Sequence, residues 1–212
     1  MWSLITKKTS IPSKENALPG RAQAIDASAL HCTFQRCISD SLQEGEAEIL
    51  LGLGCFWGAE RLFWQHHNVR LTAVGYAGGY TPNPTYQEVC SGATGHTEAV
   101  RVVYQDSAEN LQALLKVFWE AHDPTQGMRQ GNDVGTQYRS AIYYHNDEQA
   151  QLCLDSQVHF QQALEDHGLG RITTEIKPID RFYYAEDYHQ QYLFKNPQGY
   201  CGLKGTGVVS TC

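Results

Sequence analysis

The chain has 212 residues and a formal net charge of −7 at pH 7, with an isoelectric point near 5.7. The length predicts one domain with enough residues for a sizeable core. The acidic balance argues against a nucleic-acid-binding or polybasic membrane-binding surface. No apolar run approaches the roughly 18 residues of a membrane-spanning helix, and the first residues resemble neither a secretory signal nor a transit peptide. We therefore expect a cytoplasmic protein.

Residues 1–46 are polar and poorly periodic, and turn-forming Pro and Gly residues interrupt them. We expect an N-terminal arm that wraps the domain with little regular structure. The chain has seven cysteines, and in an acidic chain of this kind they indicate reduced thiols rather than a disulfide framework. Cys32 and Cys37 lie too far apart for the usual zinc-binding pair and lack a downstream partner cluster. We expect no bound metal, and we expect these two thiols to be incidental.

From residue 47 the pattern alternates between strands and helices. Strands are predicted at 47–53, 69–75, 98–104, 140–144 and 172–179, and helices at 56–66, 86–91 (a short helix or turn), 111–121, 147–167 and 185–192. This pattern favours an α+β fold, a two-layer α/β sandwich around a mixed sheet, with a long coil-rich C-terminal tail. We divide the chain into the arm (1–46), an α/β domain (47–194) and a flexible glycine-rich tail (195–212) with little that could pack.

Cys55 occupies the turn between the first predicted strand and the first predicted helix. Backbone N–H groups at a helix start are unpaired, and the positive end of the helix dipole lies there. This position should favour the thiolate of Cys55 over the thiol. Phe56 and Trp57 follow at once and offer an apolar surface beside the sulfur. The stretch indicates a thiol-based redox enzyme that attacks an apolar electrophile.

The stretch Gly54-Cys55-Phe56-Trp57-Gly58-Ala59-Glu60 resembles the signature of the A-type peptide methionine sulfoxide reductases. Further similar strings follow in the same order: Gly75–Gly79, Asn83–Tyr86, Thr94–Val100, Gly131–Ser140 and Tyr184–Tyr192. The likeness extends from about residue 47 to about residue 207. It implies a similar α/β sandwich, and thiol-dependent reduction of the S epimer of methionine sulfoxide in the repair of oxidised proteins.

Reduction of a sulfoxide needs a nucleophile, a proton for the departing oxygen and an apolar place for the methyl group. Cys55 is the candidate nucleophile, and Phe56 and Trp57 would form the wall for the methyl group. Glu98, on a strand in an apolar context, would have its pKa raised by burial and could donate the proton. The resemblance carries substrate-oxygen and pocket roles to Tyr86, Glu98, Asp133 and Tyr138, since each falls inside a matching string.

The attack would leave a sulfenic acid on Cys55, which a second thiol must resolve. Cys201, between Gly199 and Gly202, matches the family's resolving position. Many members carry a second resolving cysteine eight or nine residues later, but Val209 and Ser210 stand there in this chain. We expect Cys212, the last residue, to relay the disulfide to thioredoxin. The resemblance implies this external thiol reductant and no other cofactor.

Other residues of the matching strings receive structural interpretations. Glu60 is expected to make an ion pair or hydrogen bond near the site, and His189 is more often a structural histidine. Cys90 and Cys153 are expected to be structural. Substrates would be oxidised methionine-containing proteins and free methionine sulfoxide, and nothing in the pattern demands an oligomer, so a monomer is expected.

Three other classes of function stay open on the residues alone. A cysteine hydrolase would pair Cys55 with a histidine base, but no papain-like or caspase-like signature is present. A peroxidase would also form a sulfenic acid, although the aromatic pair favours an organic substrate with a methyl group. A redox-regulated binding module would hold methionine-containing segments without turning them over.

Overall fold

The computed structural model describes residues 9–210. Its regular elements are, in chain order, β1 (Glu46–Leu53), α1 (Phe56–Trp64), β2 (Val69–Ala77), α2 (Tyr86–Cys90), β3 (Thr97–Gln105), α3 (Ala108–Ala121), β4 (Arg129–Gln130), β5 (Asp133–Val134), β6 (Ser140–Tyr144), α4 (Asp147–Asp166), β7 (Glu175–Pro178), β8 (Phe182–Tyr184) and α5 (Tyr192–Lys195). Short 3-10 turns lie at Lys14–Asn16, Thr136–Tyr138 and Asp187–His189. Within these residues, no helix is both long enough and apolar enough to span a bilayer.

One mixed sheet organises the described part of the chain, with strand order β7-β6-β1-β3-β2-β8. β1 pairs antiparallel with both β3 and β6, whereas β6 and β7 are parallel. Both faces of β1 are covered, which explains its continuous apolar run, since a strand buried on both faces does not alternate. The α+β fold with a mixed sheet is therefore confirmed.

The helices pack on one face of this sheet. Alternate β1 side chains, Ile49 and Leu51, enter a core that also contains Phe63 of α1, Phe118 of α3 and Phe160 of α4. Successive strand residues point to opposite faces, so every second residue of β1 and β3 faces these helices. The β3 residues Glu98, Val100 and Val102 have this parity. Glu98 is thereby directed at α1.

The N-terminal arm contributes to the other face. Leu50 lies there with Tyr143 and Ala99 in a second, smaller cluster. Arg101, on the same face of β3, donates to the carbonyl oxygens of Ile38 and Asp40, at 3.1 and 3.3 Å. The guanidinium of Arg101 thus binds backbone carbonyl groups of the arm and holds the arm against the sheet. The division into arm, domain and tail stays a prediction.

Capping side chains determine where two helices begin. α3 starts three residues before the predicted 111, because the Ser107 hydroxyl accepts a hydrogen bond from Asn110 N at 3.2 Å. α4 begins at the predicted residue, where Asn146 accepts from Gln149 N at 2.9 Å. Both contacts satisfy backbone N–H groups that a helix start leaves unpaired.

The predicted helix at 185–192 is wrong. A 3-10 turn and the start of α5 occupy this segment, and the unpredicted strand β8 precedes it. The side chain of Gln190 explains the difference: it accepts from Val74 N at 2.9 Å and donates to Val74 O at 2.8 Å. This pairing with β2 fixes the segment against the sheet, and Gln191 takes the left-handed conformation (φ 46°).

The prediction that the tail has little that packs is also wrong. Val208 is 3% exposed and joins the main core, with Leu203 packed against it. Ser210 is bound to α3 at both of its backbone groups: Lys116 Nζ donates to its carbonyl at 2.6 Å, and its N–H donates to Glu120 at 2.8 Å. Cys212 lies outside the described residues.

Candidate active site

Cys55 lies where the sequence places it, as the residue that precedes α1. Gly54 makes the turn from β1 with a φ of 94°, and a Cβ there would come within 2.6 Å of the Gln130 side chain. Only glycine meets both conditions without strain. The turn therefore presents Cys55, partly exposed, at the end of a rigid central strand.

The expected low pKa of Cys55 is wrong for the site at rest. Burial raises the pKa of the Cys55 thiol, and the charges of Glu98 and Asp133 act in the same direction, while a hydrogen bond from the Trp57 amide lowers it. The helix start does supply a favourable N–H group, but the cost of removing the thiolate from water is larger. Cys55 is consequently a thiol until something else changes its environment.

Glu98 is confirmed as a buried acid with a raised pKa. Its side chain is on β3 with 1% exposure, and the Phe56 N–H donates to Oε2 at 3.0 Å. Burial raises its pKa to about 8, despite the opposing effect of that hydrogen bond. At neutral pH the carboxyl is therefore mostly protonated. One oxygen is fixed by the backbone beside Cys55, and the other can carry the proton.

Two phenols lie in the same environment. The charge of Glu98 contributes to the raised pKa of both Tyr86 and Tyr138, after the larger effect of burial. The thiol of Cys90, one turn along α2, adds a smaller contribution to the raised pKa of Tyr86. Both phenols stay protonated at any physiological pH and can act only as neutral donors.

Trp57 provides a partly buried aromatic surface beside the cysteine. Its Nε1 donates to His189 Nδ1 at 3.0 Å, and its ring stacks on Tyr192 with centroids 3.9 Å apart and planes 17° apart. Phe56, by contrast, is 1% exposed and packs against Tyr76 and His189. Phe56 can form only the floor of a pocket whose wall is Trp57.

Cys201 lies against the first turns of α1. A Cβ on Gly58 would be 2.8 Å from Cys201 Sγ, so the sulfur occupies the space that any larger residue would need. Gly58 is three residues after Cys55, on the same face of the helix. The thiols of Cys55 and Cys201 are both free, and the charge of Cys201 is among the influences that raise the pKa of Cys55.

Asp133 connects this tail to the glycine-rich loop. Tyr200 donates to Asp133 Oδ2 at 3.3 Å, next to Cys201 in sequence. Residues 123–135 include the short strands β4 and β5, which pair antiparallel. The loop that carries Asp133 thus lies over the same site as the tail.

The remaining candidates lie outside this cluster or at its edge. Cys153 is fully buried in the core, whereas Cys32 and Cys37 are partly exposed. Cys90 is exposed at the end of α2. Between residues 9 and 210, no group of three or more His, Cys, Asp or Glu side chains could hold a metal ion.

Sequence reasoning missed two residues that build the site. Tyr192 supports Trp57, and Glu186 accepts from both Tyr86 N and Tyr76 Oη, each at 2.9 Å. Both lie within or next to the string Tyr184–Tyr192, which marked the segment as part of the resemblance. Their contacts join residues 100 to 135 positions apart in the chain, so no local pattern could reveal them.

Comparisons with known proteins identify the family of this chain. The family model described as peptide methionine sulfoxide reductase matches residues 47–210. The peptide methionine sulfoxide reductase MsrA of Brucella anthropi is 59% identical over 202 residues, which cover 95% of this chain and 93% of that protein.

Solved structures of two relatives share the fold. Methionine sulfoxide reductase A of Corynebacterium diphtheriae has a TM-score of 0.84 at 46% identity, covering 91% of this chain and 93% of that one. Mxr1 of Saccharomyces cerevisiae in reduced form has a TM-score of 0.70 at 35% identity, covering 78% and 96%. Another Mxr1 structure, in complex with Trx2, has a TM-score of 0.52 at 22% identity, covering 78% and 93%, and shows the fold alone. The match over residues 47–210, with relatives alike over nearly the whole chain, shows that this chain belongs to the peptide methionine sulfoxide reductase family.

Proposed function

We propose that the chain reduces methionine S-sulfoxide, both peptide-bound and free, to methionine, with Cys55 as the nucleophile and Glu98 as the acid. One observation carries this assignment: a cysteine next to a buried carboxyl that stays protonated at neutral pH and is fixed by the Phe56 N–H. A neutral acid can protonate an oxygen as it leaves, whereas an ionised one cannot. The S epimer follows from the family.

In the proposed reaction Cys55 Sγ attacks the sulfoxide sulfur while Glu98 gives its proton to the oxygen. The oxygen then moves from the substrate sulfur to Cys55 Sγ: the substrate S–O bond breaks, a bond between this oxygen and Sγ forms, and methionine leaves, so that Cys55 is now a sulfenic acid. Cys55 gives up its thiol proton as it attacks, and this proton returns Glu98 to its neutral form. Hydrogen bonds from Glu98 and from the phenols of Tyr86 and Tyr138 to the sulfoxide oxygen would stabilise its developing charge.

The aromatic wall would select the substrate. Trp57, with Phe56 beneath it, gives an apolar surface for the S-methyl group, and burial of one methyl contributes about 0.8 kcal/mol. Asp133, bound to Tyr200, would order the loop and the tail around the substrate. A bare peroxide would gain nothing from this wall, which supports an organic sulfoxide over a peroxidase substrate.

Cys201 would then attack the sulfenic sulfur, form the Cys55–Cys201 disulfide and release the oxygen as water. Support comes from its contact with α1, since its sulfur already lies against Gly58. Thioredoxin would reduce the disulfide with its own two thiols. The yeast relative's structure with Trx2 is consistent with this partner, and no other cofactor enters the proposed cycle.

The stoichiometry of a single turnover tests the function. Reduced protein mixed with excess methionine S-sulfoxide, without a recycling reductant, should yield about one equivalent of methionine and lose two thiols as the first disulfide forms. Cys55→Ser should yield none. Cys201→Ser should still yield about one equivalent of methionine and lose one thiol. A hydrolase, peroxidase or binding module would release no methionine, and that outcome would end the proposal.

We further propose that Cys212 relays the disulfide from Cys201 to thioredoxin. Cys212→Ser should lower steady-state turnover with thioredoxin while leaving the first methionine unaffected. Equal turnover of Cys212→Ser and the wild type would mean that Cys201 alone suffices.

We also propose that the protein is a cytoplasmic monomer and that it acts on methionine sulfoxide in unstructured segments of its substrates. The free cysteines fit a reducing compartment, and the polar, glycine-rich loops leave the site open to a side chain on a mobile segment. Rates on one folded and one unfolded oxidised protein would test this. Faster repair of the folded form would contradict an open site.

A further inference from the structure

Glu60 is a buried carboxyl that the proposed reaction does not use. It lies on α1 five residues after Cys55 with 0% exposure. Oε2 accepts from the backbone N–H of Gln191 at 2.7 Å, and Oε1 accepts from Gln191 Nε2 at 2.8 Å and from Thr72 at 3.1 Å. Both of its oxygens are directed at donors, and two of the three bonds go to a single residue.

The residue that Glu60 holds has a strained backbone. Gln191 has φ 46° and ψ 42°, the left-handed conformation, which is strained for a residue with a side chain. This conformation ends the segment that Gln190 pairs with β2, and it starts α5. The next residue is Tyr192, whose ring stacks on Trp57. A strained turn that persists needs surrounding contacts to hold it, and Glu60 supplies two.

We propose that Glu60 is a positioning residue for substrate binding: it holds Gln191 in the left-handed turn, so that Tyr192 supports the Trp57 wall. This inference rests on the proposed function, because Trp57 matters only if the wall receives the substrate's methyl group. Glu60 touches neither the substrate nor the reacting sulfur. Its effect should therefore appear in substrate affinity rather than in the chemical step.

The groups around Glu60 indicate that its role depends on the length of its side chain, which brings its oxygens to Gln191, rather than on its charge. His31 Nε2 lies 3.9 Å from Oε1 but is neutral: its Nδ1 accepts from the N–H groups of Thr33 and Phe34, and its Nε2 donates to Thr72. Among the described groups that shift the pKa of Glu60, Lys195 is the only cation, and its effect on that pKa is the smallest. No close ion pair therefore explains the carboxyl.

Two conservative substitutions separate reach from charge. Glu60→Asp keeps the charge but withdraws the carboxylate by about 1.5 Å, beyond hydrogen-bond range of Gln191 N. Glu60→Gln keeps an oxygen opposite that N–H, and its NH₂ can donate to Thr72 if the Gln191 amide turns over. We expect Glu60→Asp to raise KM for methionine sulfoxide about tenfold with kcat within about twofold, and Glu60→Gln to retain the wild-type KM.

Thr72→Val is the matched control. It removes one buried hydrogen bond of Glu60 but leaves both bonds to Gln191, so it should lower Tm without changing KM. Tyr192→Ala should raise KM as Glu60→Asp does, and the double variant should be no worse than the single ones, because both act through the same ring. A variant that is partly unfolded would contain less active protein, so its apparent kcat would fall while its KM would stay the same.

The outcomes distinguish this inference from the proposed function. If wild-type protein yields no methionine, the function itself is wrong. If wild-type protein is active but Glu60→Asp keeps the wild-type KM, the positioning role is wrong. A KM rise in Glu60→Gln but not in Glu60→Asp, or additive effects with Tyr192→Ala, would also overturn it, since both point to a role of the charge or to an independent site.

Discussion

At the residue scale, the site combines a cysteine and an acid that burial keeps in their neutral forms. The pKa of Glu98 is about 8, and the pKa of Cys55 is raised as well. A neutral pair avoids placing two negative charges next to each other in a site of low dielectric. The substrate supplies what is missing, because its oxygen can take the proton of Glu98 just as the sulfur of Cys55 becomes nucleophilic.

Glu98→Gln tests the acid. The amide can donate a hydrogen bond but not a proton, so kcat/KM should fall by about 10²- to 10⁴-fold at pH 7. Wild-type activity should decline above about pH 8, where the Glu98 carboxyl ionises in the folded protein. The pH profile of kcat/KM measures both effects.

A carboxyl elsewhere provides the control for this profile. Glu48→Gln removes a carboxylate that binds Arg101, away from the reacting groups, and should keep the decline above pH 8. If Glu98→Gln shows the same decline as the wild type, the acid is a different group.

The sequence predicted the neutral state of Glu98 but not that of Cys55. For Glu98 the apolar context on a strand was enough to indicate burial. For Cys55 the helix start indicated a thiolate, because the local backbone is all that a sequence shows. The opposing influence is burial first, to which the charges of Glu98, Asp133 and Cys201 add. These residues are 43, 78 and 146 positions away, and both the burial and their proximity exist only in the folded chain.

At the scale of elements, α1 and the tail meet at Gly58. Gly58→Ala would normally favour a helix by about 0.5–1 kcal/mol, but the new Cβ would lie 2.8 Å from Cys201 Sγ and 3.3 Å from Leu203 Cβ. We expect the tail to be displaced and disulfide formation to slow, by about tenfold if the displacement costs about 1.4 kcal/mol. The first methionine should appear at the wild-type rate. Rapid quenching with parallel measurement of methionine and thiols would separate the two steps.

Gly170→Ala is the control for this substitution. A Cβ on Gly170 would meet only Thr125, at 3.8 Å, which is an ordinary contact. Gly170→Ala should change neither the release of the first methionine nor the formation of the disulfide. Wild-type disulfide formation in Gly58→Ala would show that the contact does not position Cys201.

Element boundaries were predictable where local chemistry determines them. The limits of β6 match the prediction, and the first residues of α1 and α4 do so as well. The strands β4, β5 and β8 have only two or three residues, and they exist because a partner strand is present. The segment after β8 was predicted as a helix because its hydrogen bonds to β2 and α1 cannot be read from its own sequence.

At the scale of the whole molecule, buried titratable groups determine how stability depends on pH. Burial lowers the pKa of His31, His122 and His189 from 6.5 to about 4. It raises the pKa of Glu60 to about 7 and that of Glu98 to about 8, from 4.5. The histidines are thus neutral in the folded chain near pH 7, Glu98 is mostly protonated below about pH 8, and Glu60 is mostly protonated only below about pH 7.

These shifts predict maximal stability near pH 6.5. As pH falls below 6.5, the unfolded chain protonates its histidines while the folded chain does not, so stability decreases. As pH rises from 4.5 to 8, Glu60 and Glu98 ionise in the unfolded chain before they do so in the folded chain, which lowers stability. Below pH 6.5 this loss is smaller than the gain from the three histidines. Above pH 6.5 only the loss remains. A net difference of one proton between pH 4.5 and 6.5 gives about 1.4 kcal/mol per pH unit.

Calorimetric Tm values between pH 4 and 9 would measure this curve. Glu98→Gln should flatten its alkaline side, since that variant has no proton to lose there. A stability that continues to rise through pH 8 in the wild type would contradict the assignment of Glu60 and Glu98 as raised acids.

The anchored tail has a consequence for the lifetime of the oxidised intermediate. Because Val208 and Ser210 attach the tail beyond Cys201, and α5 precedes it, the resolving thiol is tethered on both sides. Tethering of this kind gives a local concentration on the order of millimolar or more. Peroxide at micromolar levels would then rarely reach a sulfenic acid on Cys55 before Cys201 does. The architecture should thereby guard its own nucleophile against irreversible conversion to the sulfinic state while it repairs other proteins.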